Sequence, residues 1–236
     1  MGKLHDIKHD IKVVAFDADD TLWDCQTHFD EVERQYCRIL SPWADAATVS
    51  RRLFETEGKN MPVTGYGSKA FTLSLLENAV NISGGEISAR ELMDIQELGI
   101  SLLNLPATPL PEVEETLRKL HEQGNFRMVV FTKGEILDQE NKLLRSGLWD
   151  FFDRVEVVSN KTTRQYRELC ETFGITIDEL LMVGNSFKSD IEPVLKLGGR
   201  AVHIPFHAVW AHEVTEEYDH ENLTVIRHFS EILDLL

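Results

Sequence analysis

The chain has 236 residues, 42% of them hydrophobic, enough for one sizeable core plus a smaller second module at about 100–150 residues per domain. Its 24 basic and 40 acidic side chains leave a formal charge of −16, a surface that repels phosphate backbones and excludes nucleic acid as a general partner. No apolar run approaches the ~18 residues of a membrane span, and Cys25, Cys37 and Cys170, without metal-ligand spacing, read as free thiols in a reducing, cytoplasmic compartment.

The opening MGKLHDIKHDIK has no apolar stretch of the kind a secretion signal needs, and Asp6 stands where myristoylation wants Ser or Thr. The continuous apolar run 13–16 then predicts a strand buried on both faces, ending in a cluster of aspartates. From about 25 to 105 the pattern changes. Amphipathic stretches near 27–40, 46–57, 69–82 and 88–104 predict four helices, with breaks at Gly58 to Gly67 and at Gly84-Gly85. After Pro106, Pro109 and Pro111, strands and helices alternate. Strands are expected at 127–131, 155–158 (weaker), 180–183, 201–204 and 223–226. Helices are expected at 112–122, with Pro111 as its first residue, and at 136–144, 164–173 and 191–197. This alternation predicts an α/β fold, a Rossmann-like parallel sheet core (residues 1–24 and 106–236) carrying an inserted helical-bundle cap (residues 25–105).

Ligands of open α/β sheets bind at the carboxyl ends of the strands, and polar groups gather at four of them here. Asp17 and Asp19 follow the first strand two residues apart, so both can face one side. One carboxylate can attack phosphorus while the other moves the proton. Thr132, Lys133 and Gly134 follow the second strand, where a hydroxyl and free helix N-terminal amides would hold phosphate oxygens. Lys161 could neutralise both nucleophile and phosphoryl group, and the oxygens of the segment 184–190 suit a hard cation. Taken singly, Thr132 reads equally as a helix cap, Lys161 as a solvated lysine and Asp190 as a first-turn residue; their order at successive strand ends is what argues for a site.

This ordered set, DADDTL at 17–22, VVFTKG at 129–134, SNK at 159–161 and VGNSFKSDI at 183–191, resembles the four motifs of the haloacid dehalogenase superfamily. The insert after the first motif resembles the helical cap of its phosphoglycolate phosphatase-like members. The resemblance implies a Mg2+-dependent phosphatase acting on a small phosphorylated metabolite through an aspartyl-phosphate, as a monomer or homodimer. It makes Asp17 the nucleophile and Asp19 the general acid/base, with Thr132 on the phosphoryl oxygens and Lys161 balancing charge. The metal would rest on Asp17, the Asp19 carbonyl, Asn185 and Asp190. Two positions depart from the pattern: Asn185 stands where the family usually has Asp, bringing an oxygen but no charge, and Asp20 replaces a commoner glycine. Asp19 favours phosphoryl transfer to water over dehalogenation. A phosphomutase, a binding protein of the same fold weakened by Asn185 and a response-regulator-like phosphoacceptor stay open as alternatives. Between the second and third insert helices, the loop 62–69 (PVTGYGSK) offers Tyr66 and Lys69 to a substrate. Trp23 and Phe29 read as packing beside the hinge, and Cys25, with no adjacent His, as structural.

Overall fold

Val13–Phe16 (β1) has no polar position, so a strand made of it needs cover on both faces, and a parallel sheet flanked by helices supplies that. The computed structural model, which describes residues 11–236, places β1 inside a six-stranded sheet. The other strands are Arg127–Lys133 (β2), Arg154–Val158 (β3), Leu180–Gly184 (β4), Arg200–His203 (β5) and Leu223–Val225 (β6), in the order β3-β2-β1-β4-β5-β6. All pairings are parallel, with Phe16 opposite Val130 on one side and Val183 on the other. The strand order reverses beside β1, and at such a switch point the flanking connections diverge and leave a crevice above the carboxyl ends. The reading of the first ten residues as lacking a leader lies outside the described residues.

Alternation along the strands sorts side chains to two layers. Val14, Phe16, Val130 and Val183 pack with Val113–Gln123 (α5), Ile136–Ser146 (α6) and the terminal helix Ile232–Leu235. Val13, Ala15, Val129 and Met182 pack on the other face with Thr163–Phe173 (α7). The expected sixth strand is present, and the weak candidate at 155–158 is β3.

The insert folds into Gln26–Ile39 (α1), Ala46–Thr64 (α2), Ser68–Ser83 (α3) and Ala89–Leu102 (α4), packed on one another around Tyr36, Leu53, Leu75 and Ile95. Inside it the Tyr36 hydroxyl donates to the Leu75 carbonyl (3.0 Å) and accepts from Asn78 (2.8 Å), so the one large polar group in that core is satisfied. Among the described residues no helix is long and apolar enough to cross a membrane.

Three expectations are corrected. α2 does not stop at residue 57 but runs through Gly58 and Pro62 to Thr64, so the connector to α3 is only 65–67. Gly58 lies against His212, where an added methyl group would come within 3.5 Å of the ring, and Phe54, one turn earlier, stacks on the same His212 at 4.0 Å. Pro111 is not the first residue of α5; Glu112 intervenes in a left-handed conformation (φ 69°), tied by its carboxylate to Ser230. The helix expected at 191–197 is a π-helical turn, Phe187–Ile191, leading into the short helix Glu192–Leu195.

That wide turn folds Asp190 back beneath β4, where a methyl group on Gly184 would lie 2.3 Å from the Asp190 carboxylate. Gly184→Ala is therefore expected to displace Asp190 and to cost about 1–3 kcal/mol in urea unfolding, an ordinary overpacking penalty.

Candidate active site

Asp17 leaves the end of β1 with its amide bonded to the Val183 carbonyl of β4 (2.9 Å), which fixes the aspartate-rich loop over the crevice. Asp20 has φ 64°, a conformation glycine takes freely and Asp tolerates, and this explains the departure noted at that position. Its carboxylate accepts from the amides of Cys25 (2.8 Å) and Gln26 (2.9 Å), capping the start of α1, a function glycine has no side chain to perform.

The sequence-predicted residues fall into two groups. Asp17, Thr132, Lys161, Asn185 and Asp190 come together. The buried Lys161 ammonium lies 2.5 Å from Asp17 Oδ1 and 2.6 Å from Asp190 Oδ1. Asp190 Oδ2 accepts from the Ser186 amide (2.9 Å), and Thr21 Oγ1 lies 3.1 Å from Asp17 and 3.2 Å from Asn185 Oδ1. The buried Thr132 hydroxyl makes only a long contact, 3.4 Å, to the Lys133 carbonyl, which leaves it available to a ligand. Burial, with the Asp190 charge adding to it, pushes the Asp17 carboxyl up to about 7 despite Lys161. One ammonium therefore does not balance two buried carboxylates. Among the described residues no three His, Cys, Asp or Glu side chains gather as a ready-made metal cage.

The second group is engaged elsewhere. Lys133 reaches the crevice but is ion-paired with Glu213 and donates to Ser189 (2.9 Å). The Gly134 amide serves the Val158 carbonyl (3.2 Å), so it is not free for a phosphate, contrary to expectation. Lys69 points out of the cavity to Glu135 (2.6 Å), because α3 starts at Ser68 and turns position 69 toward solvent, while Ser68 and Phe71 face inward. Tyr66 does line the cavity, edge-on to Trp210 (5.8 Å) with the Lys133 ammonium over its ring (4.7 Å).

Asp19 is held by residues the sequence reading missed. Lys142 bonds both its oxygens (2.8 and 2.7 Å), Gln139 adds a bond at 2.8 Å and the Trp23 indole donates at 2.8 Å. Trp23, expected only as packing, is thus a wholly buried donor to the second aspartate. Burial pushes Asp19 up, but Lys142, Gln139 and Trp23 outweigh it and hold the carboxyl below the ordinary range. The signal was in α6, where Asp138, Gln139 and Lys142 share the buried face while Ile136, Leu137 and Leu144 are exposed. Glu213 was also missed: it comes from the long β5–β6 connection to accept from Ser186 (2.5 Å) and Ser189 (2.6 Å). Cys25 lines the cavity, yet burial, with Asp19 adding to it, pushes its thiol well up, so it is no nucleophile.

A family model described as haloacid dehalogenase-like hydrolase matches residues 11–198. The chain belongs to this family. It is 24% identical to the glyceraldehyde 3-phosphate phosphatase of Methanothermobacter thermautotrophicus over 96% of this chain and 100% of that one. It is 28% identical to the phosphoglycolate phosphatase of Vibrio vulnificus, over 78% of this chain and 79% of that one. A crystal structure of a haloacid dehalogenase-like family hydrolase from Xanthomonas campestris superposes with a TM-score of 0.86 at 32% identity, covering 96% and 92% of the two chains.

The Lys142–Asp19 pair is 3% exposed on the lysine side, so removing the ammonium leaves a carboxylate short of its main partner. Lys142→Met is expected to cost about 3 kcal/mol in urea denaturation, with Asp19→Asn in the same chain recovering part of the loss. Additive losses in that double-mutant cycle would contradict the pairing.

Proposed function

We propose that this protein is a magnesium-dependent phosphatase that hydrolyses a small phosphorylated metabolite in the cytoplasm through an aspartyl-phosphate on Asp17. The reading is carried by one observation: Asp17 stands at the central strand end, bonded to Lys161 beside Asp190, with a second carboxylate two residues on. In this reading residues 25–105 are a cap domain over a core of residues 1–24 and 106–236, and the cap excludes water from the crevice.

A dianionic phosphoryl group does not approach two buried carboxylates unless positive charge exceeds the single Lys161 ammonium. The deficit fits a dication. Magnesium takes one or two carboxylates and keeps several waters, so the Asp17 and Asp190 carboxylates, the Asp19 carbonyl and the Asn185 amide oxygen would suffice to hold it. When bound it offsets repulsion between nucleophile and phosphoryl oxygens. Asn185 adds no charge to the set, which leaves Asp190 as the acidic ligand on β4's side.

An Asp17 oxygen attacks phosphorus, the ester P–O bond breaks, and the departing alkoxide takes a proton relayed from solvent through Asp19, whose surroundings favour its ionised form, so that the proton is passed on and not stored. Asp19, now ionised and held by Lys142, Gln139 and Trp23, takes a proton from water. The water oxygen attacks phosphorus, the P–O bond to Asp17 breaks, and phosphate leaves. Thr132 donates to a phosphoryl oxygen, and Lys161 stabilises charge on Asp17 throughout.

Hydrolysis of 4-nitrophenyl phosphate tests the reading. The rate should require Mg2+ and fall about 1,000-fold or more in Asp17→Asn. Asp19→Asn should cost alkyl phosphates more than 4-nitrophenyl phosphate, whose leaving group departs without a proton. Undiminished turnover by Asp17→Asn, or in excess EDTA, would contradict it.

A further inference from the structure

The cavity above the strand ends encloses about 320 Å3, and its charge is lopsided: eight carboxylates and three ammonium groups line it. All three ammonium groups are already committed. Lys161 serves Asp17 and Asp190, Lys142 serves Asp19, and Lys133 serves Glu213. No arginine lines the cavity. Once a phosphoryl group is at Asp17, the wall formed by the described residues therefore has no spare lysine or arginine for a second anionic group on the substrate.

The wall offers acceptors instead. Glu57 lines the cavity from α2, one turn before Met61, and makes no hydrogen bond or ion pair among the described residues. The side chain is half-buried, and burial, with the Glu33 charge adding to it, pushes its carboxyl up to about 7. Two more acceptor atoms on cavity-lining residues, Asp138 Oδ1 and Gln139 Oε1, are buried without a partner. Leaving such atoms unpaired costs the protein about 1–3 kcal/mol each, a cost recovered when a ligand brings a donor. Beside Glu57 the surface is apolar and aromatic, formed by Phe29, Met61, Tyr66, Phe71 and Trp210.

We propose that Glu57 is the specificity-determining residue of this site, and that the substrate is a phosphomonoester whose alcohol half carries no second anionic group and donates a hydrogen bond from a hydroxyl or ammonium to Glu57. The proposal rests on the phosphatase reading above. A carboxylate in the alcohol half would meet the ionised form of Glu57, the dominant form above about pH 7, with no cation among the described residues to screen it, and like charges at a half-buried site repel. On this basis the chain discriminates between the substrates named for its two kinds of relative: the uncharged carbonyl half of glyceraldehyde 3-phosphate suits the wall, and the carboxylate of phosphoglycolate does not.

Phosphoethanolamine and phosphoglycolate, equal in carbon count and opposite in the charge of the far end, make the test. The full-length enzyme with Mg2+ is expected to favour phosphoethanolamine in kcat/KM by about 10-fold or more. Glyceraldehyde 3-phosphate is expected to lead 3-phosphoglycerate in the same sense. Glu57→Gln, which keeps the shape, should bring the first ratio to within about threefold, and Glu57→Lys should reverse it. Turnover of 4-nitrophenyl phosphate, measured alongside, reports the chemistry separately. If it persists while wild type prefers the carboxylates, or while Glu57→Gln leaves the ratio unmoved, the assignment of Glu57 is overturned and the phosphatase reading stands. If no phosphate ester is turned over, both fall together. The wild-type ratio alone decides the matter should either variant fail to fold.

Discussion

Asp17 and Asp190 share a single ammonium, that of Lys161, in a place nearly closed to water. The rest of the site is arranged around that imbalance. Three strands and their following loops are needed to bring the groups together: β1 carries Asp17, the loop after β3 brings Lys161 across β2, and the π-helical turn after β4 folds Asp190 beneath Gly184. Burial makes the two negative charges costly, and a cost of that kind persists only where a ligand or ion relieves it. The same burial, with the Asp190 charge adding to it, pushes the Asp17 carboxyl up despite Lys161, so its ionised form is the one most in need of added positive charge.

The second aspartate is treated in the opposite way. Asp19 is more exposed than Asp17, its side chain 27% against 11%, and four hydrogen bonds from Lys142, Gln139 and Trp23 saturate it. Two carboxylates two residues apart are thus pushed in opposite directions by their surroundings, Asp17 up and Asp19 down. The connection between β5 and β6 adds a further layer, with Trp210 and His212 meeting Tyr66 and Phe54 of the insert while Glu213 occupies Lys133. The insert is also tied to the rest of the chain by the Lys69–Glu135 ion pair, by the Ser68–Asp138 hydrogen bond (3.2 Å) and by Phe29, which packs against both hydrophobic clusters.

Much of this was legible in the sequence because it rests on local signals. The central strand has no polar interruption, Asp17 follows it at once, Thr132 sits at the end of β2, and Lys161 and Asp190 come within the turns after β3 and β4. What was not legible depends on distance or on inverted pattern. Periodicity in α6 points to Ile136, Leu137 and Leu144, yet these are exposed and the polar face carrying Lys142 is buried, because its partner Asp19 lies 123 residues away in the loop after β1. Glu213 sits in a connection with little regular structure and no motif to mark it. Lys69 and Gly134 look apt for phosphate by type, but helix phase turns one outward and a backbone bond occupies the other. Glu57 reads as one more charge on an acidic surface until α2 is seen to run on to Thr64 beside the cavity.

Whether phosphoryl transfer passes through Asp17 can be read directly from the protein. Wild type mixed with a rapidly cleaved phosphate ester and Mg2+, quenched in acid within milliseconds and digested, should yield a phosphorylated peptide containing Asp17, and borohydride should convert that residue to homoserine. Turnover at full rate with unmodified Asp17, or with the phosphoryl group on any other residue, would contradict the account.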